Sequence, residues 1–296
     1  HYVVKGFVAT DEKKTPTSLP EIQLSELESY VKEHAISEIV VANGSRKTMD
    51  AALYDLLLKL LENGVVIRQY DDVYESGTYR LPIHFDDKEL YKFFPFSRSN
   101  QNKLYQLYTR VFDVVFAVCG LLGLVVILPF VFLFNLIWNK GPLFYKQERV
   151  GRNGVSFNIV KLRTMVVNAE QNGAVFASTN DSRITAFGKL LRKSRLDEVP
   201  QFINVLKGEM AVIGPRPERP VFVEKIAASI PMYQTRHVIK PGLTGWAQVN
   251  YSYGENLEDS LMKLRYDLYY IKHRSLFLDI NIIVKTLSTV LFFRGQ

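Results

Sequence analysis

Between residues 114 and 138 the chain reads VVFAVCGLLGLVVILPFVFLFNLIW, without a single charged side chain. As an α-helix rising about 1.5 Å per residue, such a run is long enough to cross the roughly 30 Å hydrocarbon core of a bilayer. Two details conflict with one straight crossing. Pro129 falls inside the run, where it removes a backbone donor and clashes with the preceding turn. Both flanks are basic, with Lys103 and Arg110 before the run and Lys140, Lys146, Arg149 and Arg152 after it. A single crossing cannot leave both flanks on the favoured side of a membrane. A helix broken near Pro129, entering and leaving on one face, satisfies both, so the residues alone leave a span and a re-entrant element equally open. Arg110 and Asp113, three positions apart, are expected to pair near the membrane surface.

The whole chain has 296 residues, enough for two modest domains, and a formal net charge of +7. That excess implies an anionic partner, whether nucleic acid, a phosphorylated substrate or a membrane surface. The basic residues crowd beside the apolar run, so lipid phosphate is the simplest anion and no nucleic-acid partner is expected. The single cysteine, Cys119, lies within the run, which leaves no disulfide framework and no cysteine-based zinc site. The five histidines show no metal-ligand spacing, which argues against a zinc hydrolase. The chain starts at His1 without a signal peptide and enters a strand-like segment at once, so it is expected to be a piece of a longer protein.

The first hundred residues alternate between two periodicities. Apolar runs of strand length occupy residues 2–9, 38–42 and 65–69. Between them, Ser25-Glu26-Leu27-Glu28 reads as a capping box opening a helix to about His34, and an amphipathic helix over 49–62 stops at Asn63-Gly64. This order predicts an α/β, Rossmann-like N-terminal domain over residues 1–98. A nucleotide site there lacks support, because no G-x-G-x-x-G follows any strand and Asn43-Gly44-Ser45 is too short to replace it. Residues 71–100, with Gly77, Pro82 and Pro95, read as a connector. Residues 99–140 then hold the linker and the membrane element, and 141–296 an α+β domain.

The chemistry concentrates in residues 194–218, SRLDEVPQFINVLKGEMAVIGPRPE. Asp197 and Glu198 fall in the first turn of a short helix ending at Lys207-Gly208. A strand-like run over 210–213 then leads into the rigid turn Gly214-Pro215-Arg216-Pro217. Ser194 and Asp197 fit an ordinary capping box, with Pro200 marking the first turn. Equally, an acid pair at a positive helix end beside a fixed arginine suits chemistry on a phosphate that carries a metal ion. Upstream, Lys146, Arg149, Arg152, Lys161 and Arg163 alternate with Phe144, Val150, Phe157 and Val160. That pattern predicts a hairpin turning at Arg152-Asn153-Gly154, either a solvated surface or a basic wall beside headgroups and a diphosphate. Asn180-Asp181-Ser182-Arg183 is placed to cap a helix through Leu191 that carries Lys189, Arg192 and Lys193.

Further on, Lys240-Pro241-Gly242-Leu243-Thr244-Gly245-Trp246-Ala247-Gln248 is a constrained loop. Its Trp246 suits either the core or a stacking platform for a base. Residues 261–293 read as two helices broken near 273–275. Tyr266, Tyr269, Tyr270, Leu276 and Phe277 face either the membrane interface or the core.

From about Lys103 onward, these segments together resemble the bacterial sugar transferase family, the monotopic phosphoglycosyl transferases. The resemblance rests on the membrane run closed by Lys140-Gly141-Pro142, then Tyr145-Lys146-Gln147-Glu148-Arg149-Val150-Gly151 and Lys161-Leu162-Arg163-Thr164-Met165. It continues through Asp181-Ser182-Arg183-Ile184-Thr185, Leu196-Asp197-Glu198-Val199-Pro200-Gln201, Gly214-Pro215-Arg216-Pro217, the 240–248 loop and Tyr266-Asp267-Leu268-Tyr269-Tyr270-Ile271. The first hundred residues are similar to the Rossmann-like domain of the large members. Those members begin with several transmembrane helices, which are not in this sequence.

The resemblance implies transfer of a sugar-1-phosphate from a UDP-sugar to undecaprenyl phosphate, with release of UMP, at the bacterial inner membrane with the soluble domains facing the cytoplasm. It implies a re-entrant helix broken near Pro129, although Leu128 stands where the family usually has serine. Asp197 matches the family's nucleophile, and carboxylates that form acyl phosphates are an established mode of covalent catalysis. The helix N-terminus is expected to keep Asp197 ionised. Mg2+ is expected on Asp197 and Glu198, with Glu198 an alternative base. Arg216 would hold phosphate through its planar fork, supported by Arg149, Arg163, Lys161 and Arg192, while Lys240, Trp246 and Gln248 would serve the nucleotide. A homodimer through the soluble domains is plausible. A non-catalytic, membrane-tethered regulatory protein with a sensor domain is the rival reading, and predicts no turnover and no special role for Asp197. A nucleotide-sugar oxidoreductase is disfavoured by the missing glycine fingerprint.

Overall fold

The computed structural model describes residues 3–10, 17–42, 50–83, 102–169, 181–251 and 256–291, with side chains described through residue 288. The Asn43-Gly44-Ser45 turn, Pro95 and Asn180 lie outside them. The chain divides into two compact units, residues 1–79 and 80–296.

In the first unit, helix α1 (Leu27–Glu33), strand β1 (Glu38–Val41), helix α2 (Ala51–Glu62), strand β2 (Val66–Gln69) and helix α3 (Tyr70–Thr78) follow in order. β1 and β2 are parallel, with Ile39 opposite Ile67, as the α2 crossover requires. Leu27, Val31, Leu60 and Val65 form the core. Two of the three expected strands are present among the described residues. Among the described residues of the run 2–9 only Phe7 pairs, bridging Glu21 rather than β1. The Ser25 capping box does not form, because a 3-10 turn over Leu24–Glu26 precedes α1 and makes Glu26 its N-cap.

The first compact unit ends at residue 79. Leu81 and Ile83 are buried in the core of the second unit. The Leu81 amide donates to Arg265 O at 3.1 Å, and the Arg265 guanidinium donates to Ile83 O.

The second unit begins with helix α4 (Lys103–Trp138), the one described helix long and apolar enough to cross a membrane. It is helical through Pro129, so the expected break near that residue is not seen. The proline ring costs one i to i−4 bond, and the turns on either side continue the helix. Asp113, Ala117, Leu124, Val131 and Asn135 are buried at helical spacing on one stripe, while Val125, Val126, Phe130, Leu133 and Ile137 are exposed. A continuous apolar surface of this kind marks a site of association with a membrane or partner.

Strands β3 (Phe144–Val150) and β4 (Ser156–Leu162) form the expected antiparallel hairpin, in which Tyr145 faces Lys161. Asn153 at φ 58° and Gly154 at φ 77° make the tight turn, in backbone conformations that asparagine and glycine tolerate. Helix α5 (Ala186–Lys193) follows, capped by Thr185 Oγ1, which accepts from the Gly188 amide, rather than by residues 181–183. The Asp181 carboxylate instead holds the guanidinium of Arg183.

A 3-10 turn (Leu196–Gln201) runs into helix α6 (Phe202–Lys207), which ends at Gly208 in the left-handed region, as expected. Strand β5 (Ala211–Ile213), helix α7 (Pro220–Ser229), a 3-10 segment (Pro231–Val238), strand β6 (Gly242–Thr244) and helix α8 (Trp246–Asn250) come next. Strands β5 and β6 are parallel. Helices α9 (Leu257–His273) and α10 (Leu276–Leu291) close the chain, broken where the sequence indicates. Tyr270, Leu264, Leu268 and Ile271 of α9 are fully buried, so this face belongs to the core, whereas Phe277 on α10 is exposed.

Candidate active site

α4 is bolted to the second unit along its length. The Arg110 guanidinium donates to Val205 O and Leu206 O at 2.8 Å each, satisfying carbonyls at the C-terminal end of α6. Asp113 Oδ1 accepts from the Val212 amide of β5 at 2.7 Å. These two residues therefore do not form the expected pair. Each finds an unsatisfied backbone group, which outweighs a surface ion pair. At Gly120 a Cβ would lie 2.3 Å from the ring of Phe202, so the glycine lets α4 pass close beside the segment carrying the acid pair. From the other side, buried Asn204 pins that segment to β4, accepting from the Val160 amide and donating to Asn158 O.

The turn that carries Asp197 and Glu198 is entered by an unusual route. Ser194 Oγ points back to Leu190 O and Leu191 O, and Arg195 adopts φ 59° in the left-handed region. Ser194 thus finishes α5, and no capping box holds Asp197. The two adjacent carboxyls consequently meet opposite environments.

Glu198 is gripped by cations. Arg216 reaches both oxygens, at 2.6 and 3.5 Å, Lys161 lies at 3.2 Å and Arg195 at 3.7 Å. Burial alone would raise its pKa, but Arg216 and Lys161 outweigh burial and hold the carboxyl well below the usual range. Asp197 is buried, and its Oδ1 has no hydrogen-bond partner among the described residues. Burial and then the adjacent Glu198 charge push it up to about 6, against the pull of Lys161, Arg192 and Arg216. No helix N-terminus holds the Asp197 pKa down, since burial in a 3-10 turn dominates, yet a pKa of about 6 still leaves the carboxyl ionised at neutral pH. The Lys161 ammonium is pushed down by burial, partly countered by Glu198.

The family model described as bacterial sugar transferase matches residues 104–293. The chain belongs to the bacterial sugar transferase family. Among its relatives is the UDP-N-acetylgalactosamine-undecaprenyl-phosphate N-acetylgalactosaminephosphotransferase of Aeromonas hydrophila, 48% identical over 153 residues, which are 52% of this chain and 36% of that protein. The UDP-glucose:undecaprenyl-phosphate glucose-1-phosphate transferase of Xanthomonas campestris pv. campestris is 43% identical over 182 residues, 60% of this chain and 38% of the relative. The protein of the same description from Klebsiella pneumoniae is 31% identical over 266 residues, 89% of this chain and 56% of the relative. The chain therefore spans between about a third and somewhat over half of these relatives' length.

In this bacterial sugar transferase, the residues singled out from the sequence separate into three groups. Lys161, Arg192 and Arg216 gather around the acid pair, where Arg192 also donates to Thr164 Oγ1 at 2.9 Å. Arg149 adjoins them, influenced by Arg216 and Glu198, and donates to Pro217 O at 3.0 Å. Arg163 does something else. It is buried, and its guanidinium donates to Pro142 O, Met165 O, Asn139 Oδ1 and Asn139 O. With the Asn135–Asn139 hydrogen bond, it ties the end of α4 to the end of β4.

The 240–248 residues do not converge. Lys240 faces Arg110, Asp113 and Arg152. Trp246 is buried under the Lys285 ammonium, 4.6 Å from its ring centroid, and stacks on Tyr269, so it is a core residue rather than an open platform. Gln248 Nε2 donates to Leu243 O.

Arg236 was missed from the sequence. It is buried in an ion pair with Asp267 at 2.6 Å and donates to Tyr233 Oη and to Arg216 O. It therefore positions the backbone of Arg216. Its only sequence signal was the Asp267 of the tyrosine-rich motif, whose partner lies 31 positions away.

Proposed function

We propose that this chain transfers a hexose- or N-acetylhexosamine-1-phosphate from a UDP-sugar to undecaprenyl phosphate, releasing UMP. This is the first membrane step of a bacterial exopolysaccharide, capsule or O-antigen pathway. The relatives' printed activities support the substrates. The observation that carries the mechanism is the buried Asp197 carboxyl, whose Oδ1 has no protein partner beside a cluster of cations.

An Asp197 oxygen attacks the β-phosphorus of the UDP-sugar. The bond between that phosphorus and the bridging oxygen breaks, and UMP leaves with the electron pair. A phosphate oxygen of undecaprenyl phosphate then attacks the same phosphorus, the acyl–phosphate bond breaks, and Asp197 regains its carboxylate. Low solvation makes the ionised Asp197 a stronger nucleophile, while Lys161, Arg192 and Arg216 meet the charge on the transferring phosphoryl group. Glu198 keeps Lys161 and Arg216 in place and is too firmly ion-paired to act as a base. Arg149 braces the Pro217 carbonyl of the same turn.

Mg2+ fits this donor set in part. No described cluster of three or more histidine, cysteine or acidic residues could hold a metal alone, so the diphosphate must supply further oxygens. The unpartnered Asp197 oxygen suits a hard cation, whereas the oxygens of Glu198 are already taken by cations. When bound, Mg2+ would neutralise diphosphate charge.

The reading extends to a re-entrant α4, which would turn back by bending at Pro129 within an unbroken helix, lying in the inner membrane with the soluble parts in the cytoplasm. It also includes a Rossmann-like first unit and a homodimer. A panel of UDP-sugars tests the activity, with undecaprenyl phosphate and Mg2+ present and UMP measured. Release by the native protein, reduced on the order of 10^4-fold in Asp197→Asn, is the expected result. Equal release by both proteins would remove Asp197 from its role.

A further inference from the structure

Apart from the acid pair, a cavity of about 240 Å³ opens between the first turns of α4, strand β5, residues 239–240 and the α9–α10 corner. Four cationic side chains, Arg110, Arg152, Lys240 and Arg274, line it with two carboxylates, Asp113 and Asp279. Both carboxylates are engaged by neutral donors. Asp113 accepts the Val212 amide, and Asp279 accepts the hydroxyls of Tyr105 and Tyr270 at 2.8 Å each. Among the described residues, the Lys240 ammonium and the Arg152 guanidinium have no ion-pair or hydrogen-bond partner. The Lys240 ammonium is pushed down by burial and then by Arg110.

Gathered cations whose nearby carboxylates are held by neutral donors repel one another, and a bound anion relieves that cost. Two of the three arginines are held in place by other groups. Arg110 is held by the carbonyls ending α6, and the Arg274 guanidinium lies over the rings of Tyr105 and Tyr270 at 5.1 and 5.8 Å. One wall is the part of α4 just before the uncharged run. Leu104, Leu107 and Val111 on these same turns are exposed.

We propose that this cavity is a second phosphate-binding site, separate from the Asp197 cluster, with Lys240 and Arg152 as its main ligands. The phosphate belongs either to an anionic phospholipid headgroup or to a free phosphate species in the water beside the membrane. The sequence assigns Lys240 to the nucleotide or its loop, and the structure places it with this second set of cations.

The test is a thermal-shift titration of the full chain in nanodiscs of neutral phosphatidylcholine, with inorganic phosphate in one arm and phosphatidylglycerol incorporated in the other. Stabilisation by inorganic phosphate identifies a free phosphate species. Stabilisation by phosphatidylglycerol alone identifies the headgroup. In either case, the apparent dissociation constant should rise about tenfold or more in Lys240→Gln and Arg152→Gln, recover partly in Lys240→Arg, and stay unchanged in Arg216→Gln. Circular dichroism of each variant controls for folding. Stabilisation lost in Arg216→Gln but kept in Lys240→Gln would assign the effect to the Asp197 cluster and overturn the proposal, as would no stabilisation in either arm.

Discussion

Arg163 and Arg216 look alike in the sequence, each beside a turn and within a basic or proline-rich motif, yet the structure gives them opposite work. Arg163 spends its fork on carbonyl oxygens at the end of α4 and the hairpin. Arg216 sends its fork to a carboxylate in a cluster beside the unpartnered Asp197 oxygen. A guanidinium locked to backbone carbonyls is structural, because nothing can replace those acceptors without unfolding the corner. A guanidinium on a carboxylate among other cations keeps a charge that can be shared with an arriving phosphate. The lesson concerns acceptors: the group an arginine faces decides its role more than its place in a motif does.

Three substitutions would break or sharpen this contrast. Arg163→Ala has the largest expected effect on stability, because it leaves several buried carbonyls without donors. It should cost about 3 kcal/mol of stability, read from denaturant unfolding, while protein that remains folded keeps its substrate KM. Arg216→Lys should do the reverse, because lysine cannot form the fork. A rise in KM for the UDP-sugar of roughly ten- to a hundredfold, with little change in Tm, is expected. If Arg163→Ala instead raised KM while leaving Tm intact, the assignment of the two arginines would be reversed.

Asp197→Asn, whose main effect is on turnover, is expected to change stability less than Arg163→Ala and with the opposite sign. Burial raises the Asp197 pKa from 3.8 to about 6, so the ionised form is disfavoured in the folded protein. The cost of folding with this group charged is absent below the unfolded value, grows between about pH 4 and 6, and is complete above that window. Asp197→Asn should therefore match the native protein near pH 3.8 and exceed it at neutral pH by on the order of 2 kcal/mol, as Tm measured across pH would show. Native turnover should fall as pH drops through about 6, where the nucleophile takes up its proton.

The local elements were largely legible because they follow from periodicity and turn chemistry. The β3–β4 hairpin, its Asn153-Gly154 turn, the Gly208 stop and the break between α9 and α10 all have short-range causes. The acid pair was legible as a pair of residue types beside Arg216. Its electrostatics were not, because they depend on Lys161 arriving from β4, 37 positions away in sequence. For the same reason Arg236 escaped notice, and Trp246 was an open choice until Lys285 was seen to cover it. The Ser194 capping box shows that a motif fitting locally can lose to a neighbouring helix, since its hydroxyl serves the end of α5. The membrane run was plain from composition. Its course past Pro129 was not, because the turns around a proline can carry the helix through.

The most direct measurement is the mass of the Asp197-containing peptide after the protein is incubated with its UDP-sugar and Mg2+ but no undecaprenyl phosphate. The account predicts a peptide carrying one sugar phosphate, matched by a stoichiometric burst of UMP, and neither signal in Asp197→Asn. UMP released only when undecaprenyl phosphate is present, from protein that never carries the adduct, would contradict it and favour direct transfer between the two substrates.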